Sequence, residues 1–94
     1  MNKLVKLVIH GKVHGVGFRF SCMEAAYRYG VKGFVKNKSD GTVYIEAEGS
    51  EENLNRFIEW CHKGPTWAKV AKVDQETGEL KNYQSFEIAR RLTS

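Results

Sequence analysis

Six consecutive residues, His14-Gly15-Val16-Gly17-Phe18-Arg19, bring two glycines and an arginine together. Glycine permits backbone angles that other residues avoid. Successive backbone N–H groups in such a turn can converge on one anion, and a helix starting there adds its positive end. Arg19 offers a forked guanidinium that can hold two phosphate oxygens, a geometry that lysine does not match. The chemistry on offer is binding of a phosphate group. Pattern alone leaves a second reading open, a tight strand-to-helix connection with Arg19 in solvent.

The charge distribution points the same way. The chain has 94 residues, with 15 Lys+Arg against 11 Asp+Glu and a formal net charge of +4. Residues 1–39 carry eight basic side chains and one acid, Glu24, whereas residues 40–94 carry seven basic and ten acidic groups. An anion is therefore the natural partner of the first third, either a small phosphate or a nucleic-acid backbone. No metal centre is expected. His10 and His14 lie four apart on a strand pattern, which separates their side chains by ~13 Å, too far for one ion. Cys22 and Cys61 are too few for a zinc cage or a disulfide framework and read as reduced core residues.

The length indicates one domain, 1–94, with one core and no separate cofactor domain. The longest apolar run, Leu7-Val8-Ile9, falls far short of the roughly 20 residues that cross a bilayer. Met1 to Ile9 faintly echoes a signal peptide, but Lys6 interrupts it and no small-residue cleavage site follows. A cytoplasmic monomer with no membrane partner and no cofactor is expected.

The elements that must position the loop follow from periodicity. Val5, Leu7, Ile9 and Val13 alternate with Lys6, Val8, His10 and Lys12, as on a half-buried strand. Phe18, Cys22, Ala25, Ala26 and Tyr29 recur at helical spacing, and Gly30 suits the C-cap. Gly33 to Lys38 is a second strand, Ser39-Asp40-Gly41 a hairpin turn. The third strand places Val43, Ile45 and Ala47 on one face and Tyr44, Glu46 and Glu48 on the other. Ser50 caps a second helix, whose stripe is Leu54, Phe57, Ile58 and Cys61 and which Gly64-Pro65 stops. Trp60 and Trp67 read as packing around that helix and its exit. Ala68 to Val73 is a fourth strand, Thr77-Gly78 a loop, and Ser85 to Ala89 a short last strand. The order predicts a ferredoxin-like α+β sandwich, βαββαβ, with an antiparallel sheet, two helices on one face and a short extra C-terminal strand.

Topology brings distant residues together. A strand–helix–strand unit in one sheet makes its two strands parallel, so their C-terminal ends, near His14 and Asn37, share one edge of the sheet. With the third strand between them, a pocket about one strand wide opens there. Arg19 and Asn37 become neighbours in space. Asn37 also precedes a turn, where Asn often serves only backbone hydrogen bonds.

Gly11-Lys12-Val13-His14-Gly15-Val16-Gly17-Phe18-Arg19 closely resembles the first signature of the acylphosphatase family. Gly33 to Val43, with Asn37 inside it, is similar to the second. Further matches are Glu48-Gly49, Gly64-Pro65 with Ala68 and Val70, and Phe86-Glu87-Ile88. The resemblance runs in order over essentially the whole chain. It implies hydrolysis of the carboxyl–phosphate bond of acyl phosphates, giving a carboxylate and inorganic phosphate without a metal. It also implies that His14, Gly15, Val16, Gly17, Phe18 and Arg19 bind the phosphoryl group and that Arg19 and Asn37 are the catalytic pair. Asn37 would position the attacking water. The family most often has glutamine where this chain has His14, so a cationic ring beside the anion becomes an expectation to examine.

Two rival readings share the same element order. An RNA-binding module would stack bases on strand aromatics, but Tyr44 stands between carboxylates that repel a phosphate backbone. No nucleic-acid partner is therefore expected. The N-terminal part of hydrogenase-maturation carbamoyl-transferring proteins resembles this domain too, but continues into cysteine-rich zinc segments that the 94 residues lack. A free-standing enzyme is the expectation.

Overall fold

The computed structural model describes residues 1–89, so residues 90–94 of the expected single domain lie outside the described part. Its elements are β1 (Asn2–Lys12), α1 (Phe18–Tyr29), β2 (Lys32–Asn37), β3 (Val43–Ser50), α2 (Glu51–Lys63), β4 (Lys69–Gly78) and β5 (Phe86–Ile88). The alternation read in β1 holds, with Val5, Leu7 and Ile9 buried on one face. Ser50 caps α2 through its Oγ, which accepts the Asn53 N–H at 3.1 Å. Gly30 closes α1 in the left-handed region. Trp60 packs between Phe18 and Phe57, with ring centroids at 5.5 and 6.4 Å, whereas Trp67 is 77% exposed and does not pack as expected.

The sheet order is β4-β1-β3-β2-β5. β3 pairs antiparallel with both β1 and β2, so β1 and β2 are parallel and end at one edge. Cys22, Ala25 and Ala26 of α1 and Leu54, Phe57 and Cys61 of α2 join Leu7, Ile9, Val35, Val43, Ile45 and Ala47 in one core. Both helices therefore cover the same face. Burial pushes the Cys22 thiol well up, and its hydrogen bond with Cys61 adds to this, so Cys22 stays a thiol.

Two features differ from the expectation. β4 continues to Gly78 instead of stopping at Val73 before a Thr77-Gly78 loop, because β1 is long enough to pair with it as far as Leu4↔Gly78. β5 pairs parallel with β2, so the sheet is mixed rather than wholly antiparallel. The chain leaves β4 at one edge and reaches β5 at the other through residues 79–85, which pass over the face opposite the helices.

Two carboxylates on that face hold the crossing segment. Glu46 and Glu48, placed by alternation on the face opposite Ile45 and Ala47, are only 5% and 6% exposed. Glu48 accepts the backbone N–H groups of Lys81, Asn82 (3.0 Å) and Tyr83 (2.8 Å). Asn82 takes a positive φ of 58° between its two neighbours. Glu46 accepts the hydroxyls of Tyr44 (2.6 Å) and Tyr83 (2.5 Å) and the Lys81 ammonium (3.0 Å). Burial alone would raise the Glu46 carboxyl. The three donors and the Lys81 charge outweigh it, leaving the group below the usual carboxylate range. Burial and the Glu46 carboxylate push both tyrosine hydroxyls up, so they remain donors.

Glu48→Ala strands three amides that its carboxylate now satisfies. Lys81 and Asn82 are exposed, so water can take over part of what the carboxylate leaves, and urea unfolding should show a loss of roughly 1–3 kcal/mol. Glu51→Ala, at an exposed site, should stay within ~0.5 kcal/mol. Glu46 has a folded pKa below its unfolded one, so its contribution is fully present above the unfolded pKa. It is lost as pH falls toward the folded value. The stability of Glu46→Gln should accordingly fall less steeply than wild type between about pH 5 and pH 3.

Candidate active site

The β1–α1 connection is anchored at both ends, since Val13 and Phe18 are buried in the core. Between them, Gly15 and Gly17 take φ values of 70° and 75°. A Cβ at either would meet nothing within 4 Å. Glycine is needed here for backbone angle and not for space. Gly17 is also the N-cap of α1 and supplies no side-chain cap, and the first turn has no acidic residue. The leading N–H groups of the helix are thus left for a negative ligand. Arg19 stands in this turn, half-buried. Among the described residues no carboxylate or carbonyl pairs with its guanidinium.

Asn37 comes from the other element at this edge. It is the last residue of β2 and faces Val43 of β3. The following turn is closed by Gly41 N–H donating to the Lys38 carbonyl at 3.1 Å and Lys38 N–H donating to the Thr42 carbonyl at 2.9 Å. Asp40 stiffens it, accepting the Thr42 N–H at 3.0 Å and the Thr42 hydroxyl at 2.6 Å. These two bonds, the hydroxyl first, hold the Asp40 carboxyl below its usual range. The Asn37 Oδ1 is buried and accepts no hydrogen bond among the described residues. Such orphaned acceptors are rare in native folds.

Arg19 and Asn37, 18 positions apart, line one cavity of ≈ 310 Å³ together with Gly15, Gly17 and Phe18. Val16 and His14 are not among its lining residues. The His14 ring turns instead to the hairpin, where Nε2 lies 2.8 Å from the Thr42 carbonyl. A carbonyl only accepts, so Nε2 carries the proton and donates. This bond ties the glycine loop to the hairpin that follows Asn37. His10 pairs with Asp74 on β4 at 2.9 Å, so the two histidines point to opposite neighbours of β1. Among the described residues no three His, Cys, Asp or Glu side chains are grouped to hold a metal.

Sequence reasoning missed three residues at or beside the cavity, Phe20, Ile88 and Thr42. Phe20 and Ile88 line the cavity beside Arg19 and Asn37. Thr42 acts through its backbone carbonyl, which leaves no trace in residue type. Phe20 did carry a signal, a large apolar side chain directly after Arg19.

The family model described as Acylphosphatase matches residues 5–88. The chain belongs to the acylphosphatase family. An acylphosphatase from Archaeoglobus fulgidus is 42% identical over 85 residues, covering 90% of this chain and 96% of that one. The crystal structure of acylphosphatase from Bacillus subtilis superposes with a TM-score of 0.90 at 33% identity, covering 95% and 99% of the two chains. Full-length HypF, in a phosphate- and nucleotide-bound form, matches with a TM-score of 0.89 at 33% identity over 95% of this chain but 12% of its own. The family's reaction, hydrolysis of an acyl phosphate to a carboxylate and inorganic phosphate, is this chain's reaction. The fold is the ferredoxin-like α+β fold expected. No helix among the described residues is long and apolar enough to cross a membrane.

Proposed function

We propose that Arg19 and the backbone N–H groups from Gly15 to Arg19 hold the phosphoryl group while Asn37 orients the water that attacks it, with no metal required. One observation carries this reading: a guanidinium and a buried acceptor that both lack a partner among the described residues line the same cavity. An acyl phosphate expels a carboxylate, a stable anion that needs no strong general acid. Phosphoryl transfer passes through a loose transition state with charge on the equatorial oxygens, so positioning and charge stabilisation carry most of the catalysis. Arg19 and the amides supply the charge stabilisation. The Asn37 amide is neutral and is no ordinary base, but Oδ1 can accept a hydrogen bond from water and aim its lone pair at phosphorus. The water's proton then passes to a phosphate oxygen of the substrate.

The test is phosphate release from acetyl phosphate with a chelator present, beside a phosphate monoester. Turnover of acetyl phosphate alone, unaffected by chelator, supports the mechanism. Activity that disappears with chelator and returns with a divalent ion overturns the metal-free step. Equal rates on the monoester overturn the reliance on a carboxylate leaving group. The same purified protein should elute as a soluble monomer.

His14 acts in this reading as a brace through the Thr42 carbonyl. Glutamine also ends in an N–H donor at similar reach. His14→Gln should therefore keep kcat within about threefold, whereas His14→Ala, which removes the donor and loosens the loop, should lose roughly tenfold. Sulfate inhibition should follow the same pH profile in wild type and His14→Gln. A profile that flattens in His14→Gln would instead make the ring a direct anion ligand.

A further inference from the structure

We propose that the sheet face away from the helices carries a docking surface for single-stranded nucleic acid, separate from the phosphoryl cavity. The two carboxylates near Tyr44 do not repel such a strand. Glu46 and Glu48 are buried against residues 79–85. Their oxygens are taken up by Tyr44, Tyr83, the Lys81 ammonium and three backbone N–H groups. What stays open on this face, toward the cavity end of the sheet, is basic and aromatic.

Alternation fixes the members. Val70 and Val73 pack against the core, so Lys69 and Lys72 of β4 stand on the outer face. Ile9 and Val13 point inward, which turns His10 and Lys12 of β1 outward. Lys36 and Lys38, either side of Asn37, bring their ammoniums to within 5.7 and 5.9 Å of the Tyr44 ring centroid. These lysines span β4-β1-β3-β2, a band roughly 15 Å wide. Asp74, within it, is held by His10 at 2.9 Å and Lys72 at 3.4 Å. Glu76, farther along β4, stands opposite Lys6.

One pairing sets the band apart from a solvated edge. Lys12 and Lys69 face each other directly across the β1–β4 ladder, and neither makes an ion pair among the described residues. Like charges in that register destabilise a sheet. The fold carries an opposed pair that a bound anion would relieve. Tyr44 separates a nucleic acid from a simpler polyanion. Its ring and Val8 also line a shallow cleft of ≈ 140 Å³. Bases stack on aromatic rings with little regard to sequence while cations track the phosphates. Polyphosphate has no group for the ring.

The experiment measures binding of the full chain to a labelled oligouridine of about 12 nucleotides by fluorescence anisotropy. Between about 50 and 200 mM salt the affinity should fall with a log–log slope of about −3, as four or so ammonium–phosphate contacts require. Lys12→Gln/Lys69→Gln should flatten that slope by about 1.4 and weaken binding roughly tenfold. Lys69→Glu should also bind more weakly, yet melt above wild type, because it turns the opposed lysines into an ion pair. Tyr44→Phe should bind like wild type, whereas Tyr44→Leu should lose roughly fivefold or more with its slope unchanged. Arg19→Ala, outside the band, should stay within about twofold. No binding at about 50 mM salt overturns the proposal. So do equal affinity for inorganic polyphosphate of the same charge, wild-type binding by Tyr44→Leu, or a loss in Arg19→Ala as large as in the lysine variants. Acyl phosphate hydrolysis stands apart from every one of these outcomes.

Discussion

Arg19→Ala is expected to lower kcat/KM for acetyl phosphate by roughly a hundred- to a thousand-fold, the usual loss when a preorganised charge-stabilising contact is removed. In the proposed mechanism the same guanidinium touches the phosphoryl oxygens in substrate, transition state and product. Both kcat and the affinity for phosphate or sulfate should therefore drop. Arg19→Lys should recover little, because a point charge does not reproduce a two-oxygen clasp. Stability should move the other way. Arg19 is a cation in the first turn of α1, at the positive end of the helix dipole, with no partner among the described residues. Its removal should leave the melting temperature unchanged or raise stability by up to ~1 kcal/mol. Added phosphate should stabilise wild type by mass action and the variant hardly at all. Parallel loss of fold and activity in Arg19→Ala would assign the residue a structural role instead.

The parts proposed to carry the chemistry were legible because they depend on local rules. Two glycines before an amphipathic run announce a turn into a helix. The strand–helix–strand unit makes its two strands parallel, which brings Arg19 and Asn37 to one edge without any knowledge of contacts. Ser50, Gly30 and the Val5–Leu7–Ile9 alternation are equally local. The misses are all relational. Alternation assigned Glu46 and Glu48 to the face away from the helices, correctly, but could not show that residues 79–85 would fold back over it. The length of β4 is set by β1, and the sequence of β4, charged and polar toward its end, gives no sign of the pairing that reaches Gly78. Ile88 enters the site only because β5 docks on β2, and His14 finds a carbonyl that any residue at position 42 would offer. Periodicity gives the face of an element. What covers that face is written elsewhere in the chain.

Asn37→Ala should separate binding from chemistry. If Oδ1 holds the attacking water and makes no contact with the phosphoryl group, kcat falls by roughly a hundred-fold or more while sulfate inhibition stays within about twofold. The contrast with Arg19→Ala, where both quantities fall, is the decisive comparison. The fold gives a second readout. Oδ1 is a buried acceptor with no donor among the described residues, an arrangement that typically destabilises by ~1–3 kcal/mol. Its truncation should therefore leave stability unchanged or improve it, although Asn37 ends a strand next to a tightly bonded turn. Asn37→Asp should behave differently again. A carboxylate can still accept the water's hydrogen bond, but it places a negative charge in the cavity that receives a phosphate dianion. KM should rise along with the loss in kcat, and more so at low salt, where the repulsion is least screened. Near-normal kcat in a folded Asn37→Ala, or a loss of sulfate affinity equal to that of Arg19→Ala, would remove Asn37 from the water and place it on the phosphate.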